Sequence, residues 1–305
     1  MWITSVYFRY LCYNRKDGIY GLYVTNTKNN PMSIFVKTLT SLDSSRASFR
    51  THLNYIKCLK KLFADYTLSV SQTATSTKRD AEITRFKKLY KITLKSIDKD
   101  IELSREDSAF GVITAPWFPV KCYYALYYLE SILVHLIDGC AYGFTKGGHA
   151  GIRKKMYGLV SSCCISFNQN DLNIVHNLTQ VQNMPAINPG QNTKNDYWQK
   201  NECAQSVAKK LMEYKLHDAK IGRKWNLHTK KDQAERKQFI AKEQLMLIDF
   251  FYWYRIKANY RDLDYIDFEN GIAFNEILEY LETYYEAFNL YRDGLVRQIN
   301  LLFKK

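Results

Sequence analysis

A mainly helical fold with a small β element near the N-terminus is the architecture this sequence predicts. Three observations predict it. Apolar residues recur three and four apart in stretch after stretch, the spacing that puts them on one helix face. Gly and Pro number only 13 and 5 in 305 residues, too few for the turns of a large β fold. Runs of strand formers are confined to the first 39 residues. The length allows one large or two ordinary domains with a sizeable core. A hydrophobic content of 46% with 24% charged residues belongs to a globular chain.

The N-terminal stretch reads as strands over Trp2–Phe8, Ile19–Thr25 and Ser33–Leu39, with turns at Arg15-Lys16-Asp17-Gly18 and Asn29-Asn30-Pro31. Ser41 to Ser45 offers helix caps, and a helix to about Tyr66 follows, with Phe49, Leu53, Ile56, Leu59 and Phe63 on one face. Ser69 to Thr77 reads as a Ser/Thr-rich linker. A basic helix is expected from Asp80 to Leu103, its stripe Ile83, Phe86, Leu89, Tyr90, Thr93 and Ile97. Ser104 to Pro119 reads as a connector. A boundary is expected near residue 108.

From Val120 to Asp138 the sequence predicts a helix apolar enough to be buried on most sides. Ala125, Tyr128, Leu129, Ile132, Leu133 and Leu136 form one face; Tyr123, Tyr124, Tyr127 and His135 fill much of the rest. A shorter helix is expected over Ala150–Ser161. Ser166 to Asn195, rich in Asn, Pro and Gly, reads as a long loop. Helix resumes from about Asp196 to Lys220 and breaks over Gly222–Thr229. A long helix carrying Leu245 is then expected to run to Tyr265, with Leu245, Ile248, Tyr252, Arg255 and Asn259 on one face. A break at Asn270-Gly271 precedes an amphipathic helix over Ile272–Phe303. The second part of the chain thus reads as a helical domain over 109–305 with an insertion at about 166–237.

Charge is the strongest pointer to a partner. The net charge is +14, unevenly spread. Arg50–Lys99 holds 12 Lys/Arg against 4 Asp/Glu, or +8; Lys200–Lys242 holds 12 against 5, or +7; Asp262–Asp293 holds 1 against 9, or −8. Basic regions of this density attract phosphate backbones, so nucleic acid is the expected partner. Tyrosine, present 24 times, suits both helix interfaces and base stacking. The seven cysteines show no Cys-x-x-Cys pair, and there is no apolar run of about 18 residues. No metal, no cofactor, no membrane and a cytoplasmic location with reduced thiols are the expectations.

The tyrosine-rich YYALYYLESILVHLI stretch, the GGHAGIRKKM stretch after it, and the later RIKANYRDLDYID leading into a last amphipathic helix together resemble a HEPN domain over roughly residues 120–303. That resemblance implies an antiparallel helical bundle that usually dimerises. Many such domains are metal-independent ribonucleases of toxin, abortive-infection or CRISPR defence systems, working with or without a partner protein. Others are inactive binding or scaffold subunits. The active type carries Arg, four to six residues, then His: the imidazole moves the ribose 2′-OH proton and the guanidinium holds the phosphate. Arg255 stands at the arginine position, but Tyr260 stands where His is expected. Tyrosine titrates near pH 10 and is a poor base at neutral pH. His149, near the start of its helix, is a candidate to supply the missing imidazole. Arg153 shares that helix start, where free N–H groups favour anions. The expected catalytic set is therefore Arg255, Tyr260 and His149. Nucleic-acid contacts are expected from Arg153, Lys154 and Lys155, from Arg223, Lys224 and His228, and from Lys87, Lys88 and Lys91. Arg223/His228 and Arg46/His52 repeat the Arg-then-His spacing by sequence, although a solvated turn and a helix start account for them as well. RNA cleavage and RNA binding without cleavage both remain open at this stage, and a helical DNA-binding protein outside this family is a third reading.

Overall fold

The computed structural model describes residues 42–64, 67–71, 80–138, 148–168, 175–185, 199–260 and 274–304. The three N-terminal strands expected from the sequence lie outside these residues, as do Arg261–Tyr265 at the end of the expected Leu245 helix and the Asn270-Gly271 break. The described chain is mainly helical. Its ten helices are α1 (Leu42–Phe63), α2 (Asp80–Glu106), α3 (Ser108–Thr114), α4 (Phe118–Asp138), α5 (Gly148–Ser161), α6 (Leu178–Asn183), α7 (Lys200–Gly222), α8 (Lys230–Lys242), α9 (Asp249–Tyr260) and α10 (Phe274–Lys304). Two short antiparallel ribbons complete it. β1 (Thr67–Val70) pairs with β2 (Ile165–Asn168), Leu68 opposite Phe167, and β3 (Val175–Asn177) pairs with β4 (Gln244–Met246), His176 opposite Leu245.

α4 is the central helix, as its apolar composition requires. It packs against α2, α5, α9 and α10, and α1 joins α10 to α7. Directions are mixed. α2 runs antiparallel to α4, because Phe86 meets Tyr128 while Asp100 accepts from Lys121. α1 and α10 run side by side in the same direction, pairing Arg50 with Glu276 and Lys60 with Glu286. Phe63 of α1, Phe251 of α9 and Tyr291 of α10 stack with centroids 5.6–6.1 Å apart. Such rings combine large apolar burial with a favoured offset geometry. The core is continuous from α1 through α10.

Several sequence expectations are corrected here. The Ser104–Pro119 connector is helical: α2 extends to Glu106, and α3 follows because Asp107 caps it, accepting from the Ala109 and Phe110 amides at 2.8 and 3.3 Å. α3 lies so close to α10 that a Cβ on Gly111 would meet the Phe274 ring at 3.3 Å. Ser69 belongs to β1, not to a linker. The Ser166–Asn195 loop contains β2, β3 and α6, because backbone pairing with distant strands satisfies its polar groups. Leu245 lies in β4, not in a long helix. The helix begins only at Asp249, since the 244–246 backbone is bonded to β3. A short, wholly buried apolar run such as Leu245–Ile248 has no periodicity by which helix and strand can be told apart. Among the described residues no helix is long and apolar enough to cross a membrane.

Candidate functional site

Three helices converge on one polar spot beside the core. α4 supplies Tyr123, Tyr124 and Tyr127, spaced so that they share a flank. α5 starts at Gly148, whose φ of +47° suits a residue without a Cβ, and places His149 at its first turn. α9 supplies Tyr252 and Arg255, one turn apart. Buried Phe250, Phe251 and Tyr254 fix that helix in rotation.

His149 sits in a cage of tyrosines. Its ring centroid lies 4.4 Å from Tyr127, 5.3 Å from Tyr123 and 5.5 Å from Tyr124. Its Nδ1 is 2.8 Å from the Tyr123 hydroxyl. Burial, and then the positive charge of Arg255, push its pKa down to about 4, so the imidazole is neutral at pH 7. Arg255 holds its guanidinium 4.8 Å from the Tyr123 ring, 5.2 Å from Tyr252 and 5.9 Å from Tyr124. It is only 8% exposed, and its buried Nε has no hydrogen-bond partner among the described residues. Aromatic faces return part of the cost of desolvating a guanidinium, up to about 2 kcal/mol, but an orphan N–H in such surroundings still calls for an acceptor.

One turn along α5, Arg153 has a different fate. Its Nε donates to Asp249 Oδ1 at 3.0 Å, and its guanidinium lies 3.9 Å over the Tyr252 ring. Asp249, 3% exposed, also accepts from the Tyr157 hydroxyl and from the Met246 amide at 3.2 Å. This network ties α5 to the start of α9 and so holds Tyr252 between two guanidiniums. Behind it lies a small cavity with room for roughly one water, lined by Tyr123, Glu130, Arg153, Asp249 and Tyr252 among others. Glu130 accepts from Tyr291 at 2.9 Å, and burial pushes its pKa up to about 7.

The structure therefore brings His149 and Arg255 to one cluster of tyrosines, with Arg153 beside it on Tyr252. Tyr260 is the last residue of α9, and its side chain lies outside the described residues. Arg153 is committed to Asp249. Lys154 is exposed and Lys155 half-buried on α5. Arg223 folds over Phe239 and Trp225 in the α7–α8 turn, at 5.0 and 5.7 Å, while the His228 amide donates to Asn226 Oδ1 in that same turn. Lys224 there adopts a φ of +55° and is exposed. Lys87 rests its ammonium 3.4 Å from the Phe303 ring, and Lys88 and Lys91 are exposed on α2. His52 is buried, its Nδ1 3.1 Å from the Tyr254 hydroxyl.

Sequence reasoning did not name Tyr252, Asp249 or the α4 tyrosines as site residues. The available signal was the spacing of Tyr127, four residues after Tyr123 and three after Tyr124. Among the described residues no group of three or more His, Cys, Asp and Glu is arranged to hold a metal ion. What the site offers is an orphan guanidinium N–H, a neutral imidazole and the first turn of a 14-residue helix, all suited to an anion. No protein-family model, curated protein or solved structure matches the chain.

Proposed function

We propose that the protein acts on RNA as a HEPN-like, metal-independent endoribonuclease, with the phosphodiester held at Arg255 and His149. The observation that carries this reading is the buried Nε of Arg255, without a partner among the described residues, beside an imidazole that is neutral at pH 7. A neutral imidazole can accept a proton, and a guanidinium in a desolvated setting favours the charge of a phosphorane more strongly than water does. In the tautomer that donates Nδ1–H to the Tyr123 oxygen, His149 Nε2 is free to take the ribose 2′-OH proton. O2′ then forms a bond to phosphorus, the P–O5′ bond breaks, and the departing O5′ is protonated by water. The products are a 2′,3′-cyclic phosphate and a 5′-hydroxyl. A dimer of the HEPN kind, with two such sites, accompanies this reading.

The low basicity of His149 favours a second reading in which the same two residues bind RNA without cutting it. One experiment separates them. End-labelled RNA is incubated with purified protein in EDTA at pH 7, and the product ends are identified. The expected result is cleavage to cyclic-phosphate ends that drops at least about 100-fold in both Arg255→Ala and His149→Ala, each folded by circular dichroism. Binding that depends on Arg255 with no cleavage establishes the second reading. Neither cleavage nor Arg255-dependent binding removes both. Light scattering at the same protein concentration reads the oligomer.

A further inference from the structure

Neutral His149 has two tautomers, and only one of them leaves Nε2 able to accept a proton. The choice rests on the hydrogen bond at Nδ1, 2.8 Å from the Tyr123 hydroxyl. If Tyr123 accepts there, Nδ1 carries the hydrogen and Nε2 is bare. If Tyr123 donates, Nε2 carries the hydrogen and is no base. The direction of this bond depends on where the hydroxyl hydrogen of Tyr123 finds its own acceptor.

Tyr123 is buried, and it borders the small cavity that Glu130, Arg153, Asp249 and Tyr252 also line. Of the charged groups near it, Glu130 acts on the Tyr123 hydroxyl most strongly, ahead of Arg255 and Arg153. The two residues stand two turns apart on one face of α4. Asp249 is already taken, by Arg153, Tyr157 and the Met246 amide. Glu130 accepts from Tyr291 on Oε1 at 2.9 Å, and a carboxyl group has a second oxygen to offer. The groups that face it are Tyr291 from α10, Asp249 from α9 and Arg153 from α5. Room for about one water in the cavity suffices to bridge the carboxyl group and the hydroxyl.

We infer that Glu130 is a positioning residue that selects the tautomer of His149 through Tyr123 and one bridging water. Ionised Glu130 accepts from the water, the water accepts from Tyr123, and Tyr123 accepts Nδ1–H, which bares Nε2. Protonated Glu130 donates instead, each bond of the chain reverses, and the imidazole hydrogen lies on Nε2. A proton arriving at Nε2 is balanced by one hop at each link: from Nδ1 to Tyr123, from Tyr123 to the water, and from the water to Glu130. The imidazole, pushed down to about 4 by burial and by Arg255, is a weak base by itself. Glu130, pushed up to about 7 chiefly by burial, holds the proton more firmly. The proposal rests on the phosphodiester reading of the Arg255–His149 site and adds the group on which the ribose proton ends.

The test is long-range ¹H–¹⁵N NMR of protein labelled at histidine nitrogen, titrated from about pH 5.5 to 8.5 without RNA. The His149 signals are identified by their loss in His149→Gln. In wild type the hydrogen should lie on Nδ1 at pH 8 and on Nε2 at pH 6, with a midpoint near pH 7. Glu130→Gln and Tyr123→Phe, each checked by circular dichroism, should hold one tautomer throughout. A wild-type tautomer that ignores pH, or a switch that survives Glu130→Gln, overturns the proposal. RNA cleavage separates it from the reading beneath it. The rate should rise about tenfold from pH 6 to pH 8 in wild type and lie flat in Glu130→Gln. A tautomer switch in protein that neither cleaves nor binds RNA keeps the relay and removes the phosphodiester reading. Cleavage at a constant rate over this range, with a fixed tautomer, keeps that reading and removes the relay.

Discussion

Glu130 and His149 lie on adjacent elements around Tyr123, and burial moves them in opposite senses. Glu130 is fully enclosed, faces Asp249 and Arg153 across the small cavity and accepts from Tyr291, and its pKa rises to about 7. A folded-state pKa above the unfolded one means that the folded protein keeps a proton the unfolded chain has lost. Stability is then greatest below the ordinary carboxylate pKa and falls as pH rises through 7, by about 3 kcal/mol for a shift of this size. Glu130→Gln should remove that loss: urea midpoints at pH 5 and pH 8 should converge relative to wild type, with the gain at pH 8. A variant whose pH dependence equals that of wild type would show that Glu130 is charged in the fold. His149 acts in the other direction. Its pKa near 4 makes the folded state resist protonation, so its contribution is present above pH 6.5 and is lost as pH falls through 4. Arg153 and Arg255 make the same point about similar side chains. Both lie on Tyr252, but among the described residues only Arg153 has a carboxylate, because Asp249 is on the side of α9 that faces α5.

At the scale of elements, the segment around Leu245 is the instructive one. Leu245, Met246, Leu247 and Ile248 are all buried, which either a helix or a strand would allow. Pairing with β3 decides for a strand, and Asp249 then starts α9 while accepting from the Met246 amide. The face that carries Tyr252 and Arg255 is set by this start. Leu245→Ala should cost about 3 kcal/mol, within the range for emptying a buried leucine site. In hydrogen exchange, the amides of 175–177 and 244–246 should lose protection together in that variant. Independent exchange of the two segments would contradict the ribbon. α8 is polar nearly all round; Ile240 is buried, Phe239 packs edge-on against Trp225, and the Trp225 Nε1 donates to Glu235 at 3.2 Å.

At the scale of the molecule, the charge asymmetry of the sequence is partly cancelled inside the fold. The acidic α10 lies along basic α1 and the end of α2, and four of its glutamates pair there. These pairs are largely solvent-exposed, so each contributes little, about 0–1 kcal/mol. Replacing Glu276, Glu279, Glu282 and Glu286 together by Gln should therefore lower stability by no more than about 4 kcal/mol in urea denaturation at moderate salt. A larger loss would mean that the pairs act as a cooperative network. The cations left over, on the outer side of α2 and around the α7–α8 turn, carry the long-range field of the protein.

Helix content, the burial of α4, the long final helix and the His149 helix start were all legible in the sequence, because amphipathic spacing is a local property of consecutive residues. Arg255 also stands out in the sequence as a guanidinium among apolar residues, although the face it was expected to share with Leu245 and Ile248 does not exist, since α9 begins only at Asp249. The strands at 67–70, 165–168, 175–177 and 244–246 were not legible, since their backbone partners are about 70 to 100 residues away and no local period records them. Nor was the difference between Arg153 and Arg255, which depends on which guanidinium meets Asp249. The basic segment 50–99 reads as uniform in sequence, but packing against α10 neutralises some of its cations and leaves others free. Local spacing thus determined the helices and their buried faces. Tertiary structure alone decided which polar groups found partners, because a hydrogen bond or ion pair depends on the few ångströms between chain segments and not on their order.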